Sequence, residues 1–153
     1  MKKDGIKICL ISSPGGHLTY LLYLRSIWKQ YAHFWVTSDA GALSRSLTGE
    51  TLFYIIDPQR NIIKFIRNWV QAGSLLIKES PDVIITTGSG IAIPICILGR
   101  LLGKKIVFIE TAAAVRVLSL TGKIIYPLAH LFIVQWKYLL PKYPKAVYGG
   151  TFF

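Results

Sequence analysis

The chain has 153 residues, 52% of them hydrophobic and 16% charged. That length forms one domain, residues 1–153, with a core of its own, and the composition excludes disorder. Lys and Arg number 18 against 7 Asp and Glu, a net charge of +11 that favours a polyanion, an anionic membrane surface or a phosphorylated substrate. Residues 6–12 (IKICLIS) predict a buried strand, too short before Pro14-Gly15-Gly16 for a signal peptide. Residues 18–30 follow with Leu18, Leu21, Leu22, Leu24, Ile27 and Trp28 at helical spacing. Residues 33–38 predict the second strand, 39–47 a short helix capped by Ser38 or Asp39, and 52–56 (LFYII) the third strand. A long helix is expected over 61–79, stopped by Pro81. It is followed by a strand at 82–87, a helix at 90–102 ending on Gly103, and a strand at 105–109. A further helix near 122–130 and a strand at 131–135 complete the set, and the last 18 residues read mostly as loop. Cys9 and Cys96 lie in apolar runs without metal-ligand spacing, so they read as buried free thiols of a reducing compartment, and no metal site is expected.

Short strands apolar on both faces and separated by helices make a parallel sheet covered on both sides. The expected fold class is therefore α/β, a doubly wound, Rossmann-like sheet, in which ligands bind at the carboxyl ends of the strands. Three loops at those ends carry the chemistry. After the first strand comes Ser12-Ser13-Pro14-Gly15-Gly16-His17. Two glycines there let the backbone approach a ligand, and the following helix offers free N–H groups to a phosphate. Neither the dinucleotide fingerprint nor the phosphate-loop Gly-Lys-Ser/Thr is present. His17 can donate to a phosphate or act as a base; the alternative is a capping or core histidine. After the fourth strand, Thr87-Gly88-Ser89-Gly90 forms a second glycine-rich turn. After the fifth, Glu110 stands at a strand's carboxyl end, either as a site residue or as a helix cap or partner for Arg116.

The strand–(Ser/Gly)-Gly-Gly-His-Leu pattern, with the second glycine-rich turn and Pro94 in the helix after it, resembles the acceptor domain of GT-B glycosyltransferases acting on polyprenyl-diphosphate sugars. The likeness extends to the enzyme that forms lipid II and to the anchoring subunit of the split UDP-GlcNAc transferase of the dolichol pathway. It is strongest to bacterial exopolysaccharide and capsule subunits of that split type. The resemblance implies the N-terminal Rossmann-like half of a GT-B enzyme. It implies an acceptor-diphosphate site at Pro14, Gly15, Gly16, Thr87, Gly88, Ser89 and Gly90, with His17 first and Glu110 second as catalytic residues. Where the lipid II enzyme has Gln-Asn after its Glu, this chain has Thr111-Ala.

Such enzymes have two lobes, and no second lobe is expected here. The chain would therefore be an inverting transferase subunit, working without a metal or cofactor. It would be active only with a small partner that holds the UDP-sugar, and residues 139–153 are expected to dock that partner. A non-catalytic anchor and activator is the alternative.

Helix 61–79 carries Ile62, Ile63, Phe65, Ile66, Trp69, Val70, Leu76 and Ile77 on more than one face, interleaved with Arg60, Lys64, Arg67 and Lys78. Excess apolar surface with basic flanks describes a helix lying in a membrane interface. Ile62, Phe65, Ile66, Trp69, Lys64 and Arg67 are the expected contacts. No stretch reaches the ~20 apolar residues of a span. The hydrophobic anchor usual in the eukaryotic subunit is missing from this sequence, so a peripheral protein at the cytoplasmic face of a bacterial plasma membrane is expected. The rival class is a basic nucleic-acid-binding domain. The cations are scattered and no nucleic-acid motif occurs, so no nucleic-acid partner is expected.

Overall fold

The computed structural model describes residues 3–38, 47–59 and 61–151. Seven parallel strands form one sheet: β1 (Lys3–Ile11), β2 (Tyr31–Thr37), β3 (Leu52–Tyr54), β4 (Val83–Thr86), β5 (Lys105–Ile109), β6 (Leu131–Val134) and β7 (Ala146–Tyr148). Their order across the sheet is β3-β2-β1-β4-β5-β6-β7. The chain turns back at β1, so the carboxyl ends of β1 and β4 flank the crevice where such folds bind ligands. The doubly wound reading from the sequence is borne out.

Alternating residues of each strand feed two cores. One face, with Cys9, Ile84, Ile106, Phe108, Phe132 and Val134, packs under α3 (Ile62–Glu79), α4 (Ala92–Leu101) and α5 (Leu120–Ile125). Gly99 of α4 rides so close over β4 that a Cβ there would overlap Ile84 Cδ1. The other face packs Ile8, Leu10 and Trp35 under Leu18, Leu21 and Trp28 of α1 (Gly16–Tyr23) and α2 (Arg25–Trp28). Those two short helices cover only part of that face. Beyond them an apolar groove of about 340 Å³ runs over Ile85, Val107, Ile109, Leu131 and Ile133, bounded by Leu24, Ile27 and Gly149. Leu131 (39% exposed) and Val147 (52%) stand at its open side. Parallel sheets are covered on both faces as a rule, and this half of one face is only partly covered by the described residues: Ile109 is buried, whereas Ile85, Val107 and Ile133 are half-buried.

Several elements differ from the sequence reading for identifiable reasons. The expected helix 18–30 breaks at Leu24, because the Leu21 carbonyl accepts from the Trp28 indole N–H (2.7 Å) and from the Leu24 N–H (3.2 Å). β3 stops at Tyr54 because side chains of α3 take the Ile56 backbone: Asn68 Nδ2 donates to its carbonyl (2.6 Å) and its N–H donates to Gln71 Oε1 (2.8 Å). α5 begins at Leu120, capped by Ser119, rather than at residue 122, and it ends before Pro127, which has no N–H to continue a helix. The last residues are mostly loop, as expected, and add two short elements that the sequence reading did not include, a 3₁₀ turn at Lys137–Leu139 and the strand β7. β1 also starts earlier than expected, with an irregular register between Lys3 and Lys7. Apart from Leu47, the expected helix 39–47 lies outside the described residues.

Cys9 and Cys96 are fully buried free thiols. Burial pushes Cys96 up to about 12 and raises Cys9 as well.

Candidate functional site

β1 ends at Ile11 and the chain turns through Pro14 and Gly15 into α1. Gly15 caps the helix with φ +99°, a conformation that glycine alone adopts without strain. Gly16 opens α1, and His17 is its second residue. On the neighbouring strand, β4 runs out at Thr86 into Thr87-Gly88-Ser89-Gly90 and then α4. Gly88 and Ser89 both have positive φ, +109° and +106°. For Ser89 this is a strained backbone, of the kind that collects at functional sites. Gly16 and Gly90 are different: neither has a positive φ, and a Cβ at either would meet nothing within 4 Å. The fold does not require glycine at those two positions, whereas close approach of a ligand to the backbone would.

The two turns are clipped together through His17. Its Nδ1 lies 2.8 Å from the Thr87 carbonyl oxygen, and the Thr87 hydroxyl donates back to the His17 carbonyl at 2.8 Å. A carbonyl only accepts, so Nδ1 carries the hydrogen; in the neutral ring the Nε2 lone pair is left to take a proton. The ring rests on Gly88, where a Cβ would stand 3.2 Å from His17 Cε1. Beneath the first turn the fully buried Ser12 hydroxyl has no hydrogen-bond partner among the described residues.

Glu110 follows β5 and is 1% exposed. Its Oε1 accepts the Thr111 N–H (2.9 Å), and Oε2 accepts the Ser119 N–H (3.0 Å) and hydroxyl (3.1 Å). Ser119 Oγ in turn accepts the Gly122 N–H at the start of α5 (3.0 Å). Burial pushes the Glu110 carboxyl above its ordinary range, while the hydrogen bonds from Thr111 and Ser119 and the nearby His17 charge pull it partly back. Both oxygens are engaged inside the protein, so Glu110 organises the loop between β5 and α5. The helix cap itself is Ser119, and Glu110 holds that cap in place. Gln135 Nε2 donates to the Glu110 carbonyl (3.0 Å) and Trp136 Nε1 to the Ala112 carbonyl (2.6 Å), which ties that loop to the segment after β6.

The structure thus brings together Pro14, Gly15, Gly16, His17 and Thr87–Gly90, and holds Glu110 buried just after β5. Ser12, Ser119, Gln135 and Trp136 were not singled out from the sequence. Of these, only Ser119, a cap residue ahead of a helix, carries a local signal. On α3, Ile62 (69% exposed), Ile66 (57%), Phe65, Lys64 and Arg67 are exposed and Trp69 is half-buried, stacked edge-on against Phe65 at 5.9 Å. No described helix is long and apolar enough to cross a membrane.

Comparison with known proteins agrees with this geometry. Among solved structures, MurG of Acinetobacter baumannii superposes with a TM-score of 0.75 at 17% identity, over 88% of this chain and 43% of that one. UDP-N-acetylglucosamine 2-epimerase of Rickettsia bellii gives 0.74 at 15% identity, over 95% and 45%. The chain spans less than half of either, and at such identity the likeness shows the fold: the Rossmann-like α/β lobe of GT-B architecture. Among curated sequences, UDP-N-acetylglucosamine transferase subunit ALG14 of Mus musculus is 45% identical, with 97% of this chain and 83% of the relative covered. The Homo sapiens protein of that name is 29% identical over the same shares. Residues 58–152, more than half of the chain, match the family described as oligosaccharide biosynthesis protein Alg14 like. The chain therefore belongs to the Alg14-like family of oligosaccharide biosynthesis proteins, a family of glycosyltransferase subunits.

Proposed function

We propose that this chain is the acceptor-side subunit of a two-component glycosyltransferase that moves a sugar from a UDP-sugar to a polyprenyl-diphosphate-linked saccharide. The reading is carried by the clip between His17 and Thr87, which holds an imidazole between two glycine-rich turns on adjacent strands. The acceptor diphosphate lies against Pro14, Gly15, Gly16 and Thr87–Gly90, where backbone N–H groups and helix N-termini favour an anion. The acceptor hydroxyl gives its proton to His17 Nε2 as its oxygen attacks the anomeric carbon. The bond from that carbon to UDP breaks on the opposite face, UDP leaves with the electron pair, and the configuration inverts. Glu110 acts as a positioning residue through the loop it holds.

A small donor-binding partner supplies the UDP-sugar, and the partly covered half of the sheet is the surface that accommodates it. The names of the relatives support UDP-N-acetylglucosamine as the donor. The exposed apolar and basic residues of α3 support contact with an anionic membrane surface. The resemblance drawn from the sequence supports a bacterial exopolysaccharide or capsule setting, at the cytoplasmic face of the plasma membrane.

The test is reconstitution with UDP-N-acetylglucosamine and a polyprenyl-diphosphate sugar. The chain alone gives no product and the chain with its partner does. His17→Ala in the complex lowers kcat by about 10²-fold, the usual loss of acid–base catalysis. Turnover by the chain alone overturns the two-component reading. A His17→Ala complex as active as wild type makes the chain a non-catalytic anchor and activator.

A further inference from the structure

A second pocket opens at the carboxyl end of the sheet, sharing no lining residue with the two glycine-rich turns. It has a volume of about 470 Å³ and is lined by Val115 and Arg116 from the loop after β5 and by Tyr138 and Lys142 from the segment after β6. That volume falls within the range of small-molecule sites. Its framework is fixed from below. Glu110 grips the 111–119 loop at both ends, Trp136 bonds the Ala112 carbonyl, and buried Leu139 anchors the segment that carries Tyr138 and Lys142. The Lys142 N–H itself donates to the Leu139 carbonyl at 3.1 Å.

The charge around this pocket is uncompensated. Residues 111–153 hold Arg116, Lys123, Lys137, Lys142 and Lys145 and not one Asp or Glu. Among the described residues no carboxylate forms an ion pair with Arg116 or Lys142, and Glu110, the nearest acid in sequence, is buried with both oxygens engaged. Lys137 is drawn away over the Tyr148 ring, 5.1 Å from its centroid. What remains around the cavity is a guanidinium fork, an ammonium and a phenol hydroxyl. These are the groups that recognise phosphoryl oxygens, Arg in pairs and Lys as a point charge.

We propose that the cavity bounded by Val115, Arg116, Tyr138 and Lys142 is a subsite for a diphosphate group. Its two cations match the roughly two negative charges of an esterified diphosphate. Within the proposed function, which this inference deepens, two molecules carry that group: the nucleoside diphosphate of the donor and the polyprenyl diphosphate of the acceptor.

The test is calorimetric titration of the purified full chain, at low salt, with UDP and separately with geranyl diphosphate. Arg116→Gln and Lys142→Gln each weaken binding by about tenfold, the loss expected for a charged hydrogen bond. Lys29→Gln, an equal loss of charge on an exposed residue elsewhere, leaves binding unchanged. The ligand whose binding Arg116→Gln and Lys142→Gln weaken identifies the source: UDP assigns the subsite to the donor, and geranyl diphosphate assigns it to the acceptor. The proposal is overturned if neither ligand binds, if Arg116→Gln binds like wild type, or if Lys29→Gln loses as much as Arg116→Gln. The readout needs neither partner nor turnover. An active complex without this binding defeats the subsite alone, and an inactive complex with it defeats the transferase reading alone.

Discussion

A carboxylate with almost no solvent contact makes the strongest residue-scale demand on the fold. Gly122 leaves room for it: a Cβ at that position would overlap Glu110 Oε2. The direction of the Glu110 shift gives a prediction with a definite sign. In the unfolded chain the carboxyl ionises near its ordinary value of 4.5, and in the folded protein burial moves that ionisation higher. Between the two values the folded state binds more protons. Its stability therefore falls as pH rises through that window, and the loss is complete above the folded value. Urea unfolding of wild type and Glu110→Gln, followed from pH 4.5 to neutrality, isolates the effect, since all other groups are shared. Wild type should lose stability relative to the variant as pH rises, and parallel curves would refute the assignment. In sequence, Glu110 was visible as a candidate and its environment was not. Ser119 and Gly122 meet it only after the loop has closed. His17 was likewise legible as a residue type after a Gly-Gly turn, whereas its bond to Thr87 spans 70 positions that no local pattern links.

Of the elements, α3 shows how a helix can be well formed and poorly buried. Asn61 caps it by accepting the N–H groups of Ile63 and Lys64 at 2.9 and 3.0 Å, and Ser80 ends it in a left-handed conformation. Its buried stripe is only Asn68, Ala72, Leu75 and Leu76, and residues 61–67 are all exposed. The apolar first turns are therefore left largely uncovered by the described residues. Burying a few large side chains in a lipid interface is worth several kcal/mol at ~25 cal/mol per Å², and each nearby cation adds about 1 kcal/mol against an anionic leaflet. Flotation with vesicles should need anionic lipid, weaken in high salt, and drop in Phe65→Ser and Ile66→Ser. Equal binding to neutral vesicles, or no drop in the double variant, would remove α3 from the membrane. The excess of apolar faces was readable from spacing alone. The break at Leu24 and the short β3 were not, since both arise where a side chain captures a backbone group, Trp28 that of Leu21 and α3 side chains that of Ile56. β7, three residues long, is below the length at which alternation can be seen.

For the molecule as a whole, the unequal cover of the two sheet faces is the feature from which assembly follows. Val107, Ile109 and Ile133 point to the side where α1 and α2 end. Leu131→Asp and Val147→Asp, both on exposed positions at the rim, should leave the melting temperature near that of wild type and abolish co-elution with the donor-binding partner. A complex that survives both substitutions would move the interface elsewhere. The strand order β3-β2-β1-β4-β5-β6-β7 bears on biogenesis as well. From β5 onward every new strand joins the outer edge of the one made just before it, so this half of the sheet can extend in the order in which the ribosome delivers it, at roughly 5–20 residues per second. Each strand from β4 to β6 serves in turn as the template for its successor. The nascent chain never has to open a finished pair of these strands to admit a later one, and its exposed edge at any moment is the one the next segment is about to occupy.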